Sequence, residues 1–74
     1  MEKIFHKIEK DEPIQVKVVE FNGEKYLDIR KWYYGKNNEL QPLKKGITLD
    51  YEDAEEILDI LSEKKWEILE TMCK

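Results

Sequence analysis

An Asn-Gly pair between two runs of alternating apolar and polar residues limits the fold of this chain more than any other feature. Asn22-Gly23 readily adopts the positive φ angles of a type I′ hairpin turn. Residues 14–21 before it are rich in β-branched side chains and alternate with period two, and residues 25–34 after it alternate as well. The sequence therefore predicts an antiparallel hairpin at this point.

One face of this hairpin is apolar and the other is polar. The apolar face is formed by Ile14, Val16, Val18, Leu27 and Ile29. The opposite face carries charged side chains and an aromatic ring, so we expect it to contact water.

Residues 35–49 extend the sheet beyond a second turn signal, Gly35-Lys36-Asn37-Asn38. Residues 39–43 are a strand or an extended loop, in which Pro42 suits an edge or a bulge, and residues 44–49 are the last strand-like piece. Residues 1–12 alternate weakly and are either an N-terminal arm or an extra edge strand. We expect four strands in all, with the main sheet over residues 14–49.

A long helix is predicted over residues 50–73. Asp50 is a good N-cap, and two acidic residues follow in the first turn, where they complement the helix dipole. Apolar residues recur at spacings of three and four from Tyr51 to Met72. The predicted fold is therefore α+β, a single domain over residues 1–74 in which an antiparallel sheet is followed by one long C-terminal α-helix.

The length of 74 residues leaves room for only a small core. Cys73 is the one cysteine and His6 the one histidine, so neither a disulfide nor a metal site is expected, and no cofactor is predicted. Small domains that lack disulfides and metal sites are commonly stabilised by a partner subunit. We therefore expect a homodimer.

The chain also lacks the features of a membrane or secreted protein. No stretch approaches the roughly 20 apolar residues of a membrane span, and the N-terminus has no apolar run typical of a signal peptide. A lone free cysteine fits a reducing compartment. We expect an intracellular protein with no membrane partner, in the cytoplasm or nucleoid, or in the nucleus if the source is eukaryotic.

Charge is distributed unevenly along the chain. Residues 13–49 carry seven basic and four acidic side chains, a net charge of +3, whereas residues 50–74 carry three basic and nine acidic ones, a net charge of −6. This division predicts a basic sheet and an acidic helix. Two ordinarily solvated surfaces are the alternative interpretation.

A basic, aromatic sheet face fits a single-stranded nucleic acid, because cations follow the phosphates and rings stack on bases. A duplex would require an element that enters a groove, and the only predicted helix is acidic and would be repelled by phosphate. The candidate contact residues are Lys17, Phe21, Lys25, Tyr26, Arg30, Trp32, Tyr33, Lys44 and Lys45.

Several of these residues also have a purely structural interpretation. Phe21 could pack across the hairpin, and Trp32 could belong to the core or to a dimer interface. Arg30 could pair with Asp28, and Lys44-Lys45 could protect an edge strand from aggregation.

Three short motifs carry a resemblance to a known family. They are Phe21-x-Gly23, then Asp28-Ile29-Arg30-x-x-Tyr33, then Glu39-Leu40-x-Pro42-x-Lys44-Lys45-Gly46-Ile47-Thr48-Leu49. Together they resemble the positive cofactor four family of transcriptional coactivators, over about residues 14–62. The resemblance implies a curved four-stranded antiparallel β-sheet followed by one helix, a homodimer, and binding of unpaired DNA with little sequence preference. The compact chain is most similar to prokaryotic or phage members.

The resemblance also implies roles for individual residues. Phe21 and Tyr33 match base-stacking aromatics, Arg30 matches a phosphate-contacting arginine, and Lys44 and Lys45 match the basic residues before a glycine turn. Since Tyr33 has the opposite strand parity to Arg30, a bulge or twist is needed to bring both to one surface. The chain departs from the family at Val19, Asn22 and Glu24, where basic residues are common.

The leading hypothesis is a sequence-tolerant single-stranded-DNA binder that supports transcription, replication or repair, with proteins of those processes as further partners. The alternatives are an RNA chaperone of unpaired strands and a protein-interaction module that acts through the acidic helix. An enzyme is not expected, because the only histidine and the only cysteine lie at opposite ends of the chain and no nucleophile–base pair is evident.

Overall fold

Four antiparallel strands and two helices make up the protein in the computed structural model, which describes residues 2–73. The elements are β1 (Glu2–Ile8), β2 (Ile14–Phe21), β3 (Glu24–Tyr34), β4 (Leu40–Leu49), α1 (Tyr51–Glu63) and α2 (Lys65–Met72). The strands form one open sheet in the order β1-β2-β3-β4. The predicted α+β class and the four-stranded antiparallel sheet are confirmed.

Both predicted turns form, and the first has the backbone geometry that its sequence requires. Asn22 and Gly23 have φ values of 53° and 81°, so the β2–β3 connection is a two-residue turn of the primed kind. At the second turn, the backbone N–H of Gly35 donates to the carbonyl of Glu39 at 2.8 Å. These turns fix the register of β3 against both of its neighbours.

The division of the chain into strands differs from the prediction in one respect. Residues 40–43 and 44–49, which belong to two separately predicted pieces, lie in the single strand β4, which contains a bulge. The fourth strand is β1, which pairs antiparallel with β2 and corresponds to the edge-strand alternative for residues 1–12.

The single long helix predicted over residues 50–73 is not confirmed, because the helix is interrupted at Lys64. Its start is as predicted: Asp50 Oδ1 accepts a hydrogen bond from the backbone N–H of Asp53 at 2.9 Å. Lys64 has φ −103° and ψ 13°, which depart from helical values and separate α1 from α2. Its N–H still bonds to Ile60 and its carbonyl to Ile68, both at 2.9 Å, so few hydrogen bonds are lost.

The single chain has almost no enclosed core. Leu49, 7% exposed, and Pro13 are the only buried apolar residues in the described chain, and none of the described side chains is fully buried. Of the two helices, α1 contacts β3 and β4 of the sheet, and α2 contacts only α1. Their large apolar side chains stay accessible at Tyr51, Leu58, Ile60, Leu61, Trp66, Ile68, Leu69 and Met72.

The overall dimensions reflect this open packing. The accessible surface is 6491 Å², against about 4,900 Å² for a compact monomer of this mass. The radius of gyration is 14.3 Å, against about 11 Å for a compact domain of this length. Between residues 2 and 73, neither helix is long and apolar enough to cross a membrane.

Candidate nucleic-acid interface

The polar face of the sheet is more closed than the sequence predicts. Gln15, Lys17 and Asp28 lie on this face, and they are only 4%, 8% and 6% exposed. Register explains why: Gln15 pairs with Arg30, and Lys17 pairs with Asp28, so long polar side chains on adjacent strands cover one another. The expectation of a freely wet face is therefore wrong at its centre.

A hydrogen-bonded carboxylate organises this centre. Asp28 accepts hydrogen bonds from Arg30 Nη2 at 3.0 Å and Nε at 3.3 Å, and from the Thr48 hydroxyl at 2.9 Å. Burial by itself would raise the pKa of the Asp28 carboxyl. The hydrogen bonds from Arg30 and Thr48, together with the positive charges of Arg30 and Lys17, outweigh burial and lower that pKa below its ordinary value.

This lowered pKa makes part of the stability sensitive to acid. An ionised Asp28 stabilises the fold above its unfolded-state pKa of about 3.9, and this contribution is lost as the pH falls through the lower folded-state value. Asp28→Asn should therefore reduce the free energy of unfolding by about 1–3 kcal/mol at pH 7, and by progressively less below about pH 4. Urea unfolding followed by circular dichroism measures both. Asp59→Asn on exposed α1 is the matched control, and a deficit that stays constant down to pH 2 would contradict the role of Asp28.

Lys17 and Trp32, both predicted contact residues, lie together beside this network. Lys17 Nζ is 3.1 Å from Glu2 Oε1 and 4.7 Å from the centroid of the Trp32 ring. The backbone N–H of Trp32 donates to the carbonyl of Pro13 at 2.7 Å, and its indole N–H is buried without a hydrogen-bond partner among the described residues. Trp32 is half-buried in this arrangement, and the contact with Glu2 ties Lys17 to the edge strand β1.

Other predicted contact residues are accessible, and two of them lie near opposite ends of β3. Phe21, 67% exposed, pairs with Glu24 beside the first turn, and Tyr33, 40% exposed, pairs with Gln41 near the second. Lys25 is also exposed. Neither accessible ring therefore lies over the polar network.

Tyr26 is held by a local hydrogen bond. Its hydroxyl donates to Glu24 Oε2 at 2.7 Å. This hydrogen bond, slight desolvation and the carboxylates of Glu24 and Asp50 raise the pKa of Tyr26 above its ordinary value. The phenol is therefore neutral at physiological pH.

A bulge in β4 presents two predicted contact residues. Arg30 pairs with Gly46 and Trp32 with Pro42, so residues 43–45 of β4 lie opposite the single residue Lys31. Lys44 and Lys45 are exposed in this bulge.

The position of this bulge decides which face carries Tyr33. The extra residues belong to β4, so alternation along β3 is unbroken and places Tyr33 on the face opposite Arg30 and Trp32. β3 therefore lacks the bulge that would bring Tyr33 onto the face of Arg30. The candidate contact residues lie on both faces of the sheet.

Two further exposed aromatics, Phe5 on β1 and Tyr34 at the end of β3, were not among the predicted contact residues. Lys3 Nζ lies 4.9 Å from the centroid of the Phe5 ring, so β1 also combines a cation with a ring. The weak alternation of residues 1–12 was the only signal for this strand. Among residues 2–73, no group of three or more His, Cys, Asp or Glu side chains could hold a metal ion.

Comparison with known proteins identifies a family and a similar solved structure. Residues 8–60 match the family described as Transcriptional Coactivator p15 (PC4). Among solved structures, the chain is similar to the bacteriophage T5 homolog of the eukaryotic transcription coactivator PC4, a protein implicated in recombination-dependent DNA replication. The two share 28% sequence identity with a TM-score of 0.65, and the match covers 100% of this chain and 97% of the phage one. No curated protein sequence matches the chain.

Proposed function

Because the chain belongs to the Transcriptional Coactivator p15 (PC4) family, we propose that it binds single-stranded DNA as a homodimer, with little sequence preference. The observation that carries this proposal is the exposure of Phe21 and Tyr33 near the two hairpin turns, together with Lys44 and Lys45 on the β4 bulge. Exposed rings stack on unpaired bases, and exposed cations follow the phosphates.

The helices argue against a duplex ligand. Glu52 and Asp53 occupy the first turn of α1, and no basic residue lies in its last turn. A helix of this charge is repelled by the phosphates that border a groove. The basic strands and turns are left as the contact surface, and they suit a flexible single strand.

Similarity to the phage T5 homolog favours DNA as the ligand and replication or recombination as the process. Stacking and phosphate contacts do not themselves separate DNA from RNA, because only contacts to the 2′-hydroxyl do so. The binding test therefore includes an RNA competitor.

The second subunit is supported by the accessible apolar surface. The chain exposes roughly 1,600 Å² more than a compact monomer would, and obligate dimers bury about 1,000–2,500 Å² per subunit. The helices contribute to this surface, because their large apolar side chains, among them Leu58, Leu61 and Leu69, are accessible in the single chain. A second copy of this chain is the occupant that best matches its area and composition.

The test is a fluorescence titration of labelled oligo-dT at several salt concentrations. We expect binding that weakens linearly on a logarithmic salt axis, with a slope of roughly −0.7 for each phosphate neutralised. A duplex of equal length should bind more weakly. No oligo-dT binding at low salt would contradict the proposed function, and stronger binding of oligo-U would assign RNA as the ligand.

A further inference from the structure

All five N–H donors of the Arg30 guanidinium have acceptors within the chain. Arginine carries five N–H donors, and five contacts are present. Nη1 donates to the carbonyl oxygens of Leu43 at 2.8 Å and Lys44 at 3.1 Å. Nη2 donates to Asp28 at 3.0 Å and Thr48 at 3.4 Å, and Nε donates to Asp28 at 3.3 Å.

Two of these five acceptors are backbone carbonyls in the β4 bulge. The residues of a bulge lose their regular ladder partners and need others. Arg30 supplies such partners to Leu43 and Lys44, and its own orientation is fixed by the ionised Asp28. A chain of contacts therefore runs from Asp28 through Arg30 to the backbone that carries Lys44 and Lys45.

Gly46 provides the space that this arrangement requires. A Cβ atom at this position would lie 2.8 Å from Arg30 Cζ and 2.9 Å from its Cγ and Nη1. Gly46 does not have a positive φ, so its backbone conformation is open to any residue. The need for glycine here comes from the Arg30 side chain that lies across it.

From this geometry we infer that Arg30 is a positioning residue and does not bind phosphate itself. It fixes the β4 bulge so that Lys44 and Lys45 meet the phosphates of a single strand. This inference rests on the proposed function. Lysine cannot replace Arg30. An ammonium group has three donors on one atom, whereas the Arg30 contacts span two carbonyls, a carboxylate and a hydroxyl.

A double-mutant cycle with Lys45 separates positioning from direct contact. Removing one phosphate contact should make the salt slope of oligo-dT binding less negative by about 0.7. If Arg30 positions the bulge, Arg30→Ala should misplace both Lys44 and Lys45 and make the salt slope less negative by up to about 1.4. Adding Lys45→Ala to this variant should then change the slope little further. Arg30→Lys should behave like Arg30→Ala although it retains the charge. Additive losses, or an Arg30→Lys variant with the wild-type slope, would overturn the inference.

Gly46→Ala tests the same role without altering any charge. Its Cβ should displace Arg30, so the salt slope should become less negative, as in Arg30→Lys. Gly35→Ala is the matched control, because its Cβ would meet only ordinary contacts at 3.6 and 3.7 Å. A Gly46→Ala protein that binds with the wild-type slope would contradict the inference.

The wild-type protein provides a test that does not depend on how any variant folds. In a nitrogen-15 NMR titration with oligo-dT, the backbone amides of Lys44 and Lys45 should shift, while the Arg30 side-chain N–H signals should keep their positions and their slow solvent exchange. Arg30 signals that shift in parallel with the lysine amides would overturn its positioning role. Absence of any wild-type binding would instead contradict the proposed function itself.

Discussion

Leu61→Lys is expected to convert the protein from a dimer into a monomer and to lower its thermal stability. Leu61 lies on α1, is 46% exposed in the single chain, and lines an apolar groove with Leu58, Ile68 and Leu69. In the proposed dimer this groove is covered, so the substitution would bury an ammonium group against apolar surface. The effective penalty for such a charge is several kcal/mol, which corresponds to a dimer dissociation constant raised more than about 100-fold.

The stability should fall with the association, because the single chain encloses so little apolar surface. Sedimentation or light scattering gives the mass, and thermal unfolding by circular dichroism gives the midpoint. Glu63→Gln on the same helix changes the net charge by the same unit and should leave both unchanged. A Leu61→Lys protein that remains dimeric, or a wild type that is monomeric at micromolar concentration, would refute the proposed interface.

Loss of both exposed rings should give the largest reduction in DNA affinity. Base stacking contributes about 1–3 kcal/mol per ring, so Phe21→Ala with Tyr33→Ala should weaken oligo-dT binding by roughly 30-fold to 10⁴-fold. The two rings lie near opposite ends of β3, about 30 Å apart along the strand. Their effects should therefore add when a long oligonucleotide spans both.

The salt dependence distinguishes this loss from a loss of charge. Removing neutral rings should leave the salt slope unchanged, in contrast to the lysine variants. The conservative pair Phe21→Tyr with Tyr33→Phe keeps both rings and should bind like the wild type. An Ala pair that binds with wild-type affinity would show that these residues only pack against their neighbours.

The sequence was sufficient wherever a feature depends on neighbouring residues. The Asn22-Gly23 turn follows from the φ values that these two residues tolerate, and the helix start follows from the Asp50 side chain three residues before the N–H that it caps. The alternation of residues 14–21 likewise predicted β2, although its polar residues Gln15 and Lys17 are more buried than its apolar ones.

Features that depend on residues distant in the chain were not predictable in this way. Lys17 looked like an exposed cation because its partner Glu2 lies on a strand that weak alternation left undecided. Saturation of Arg30 requires carbonyls from a bulge 13 and 14 residues away, and nothing in β3 indicates that bulge. The helix break at Lys64 has no glycine or proline to mark it.

Both outer strands of the sheet, β1 and β4, are irregular, and this affects how copies of the protein can associate. β1 carries an extra residue at Phe5, between the pairs Ile4–Lys17 and His6–Val16, and β4 carries its bulge at residues 43–45. Each irregularity interrupts the row of backbone donors and acceptors that another strand would need, and Pro42 removes one more donor. Growth of the sheet from chain to chain is thus obstructed at both edges. This obstruction is compatible with the proposed dimer, whose interface uses the helices and not a sheet edge.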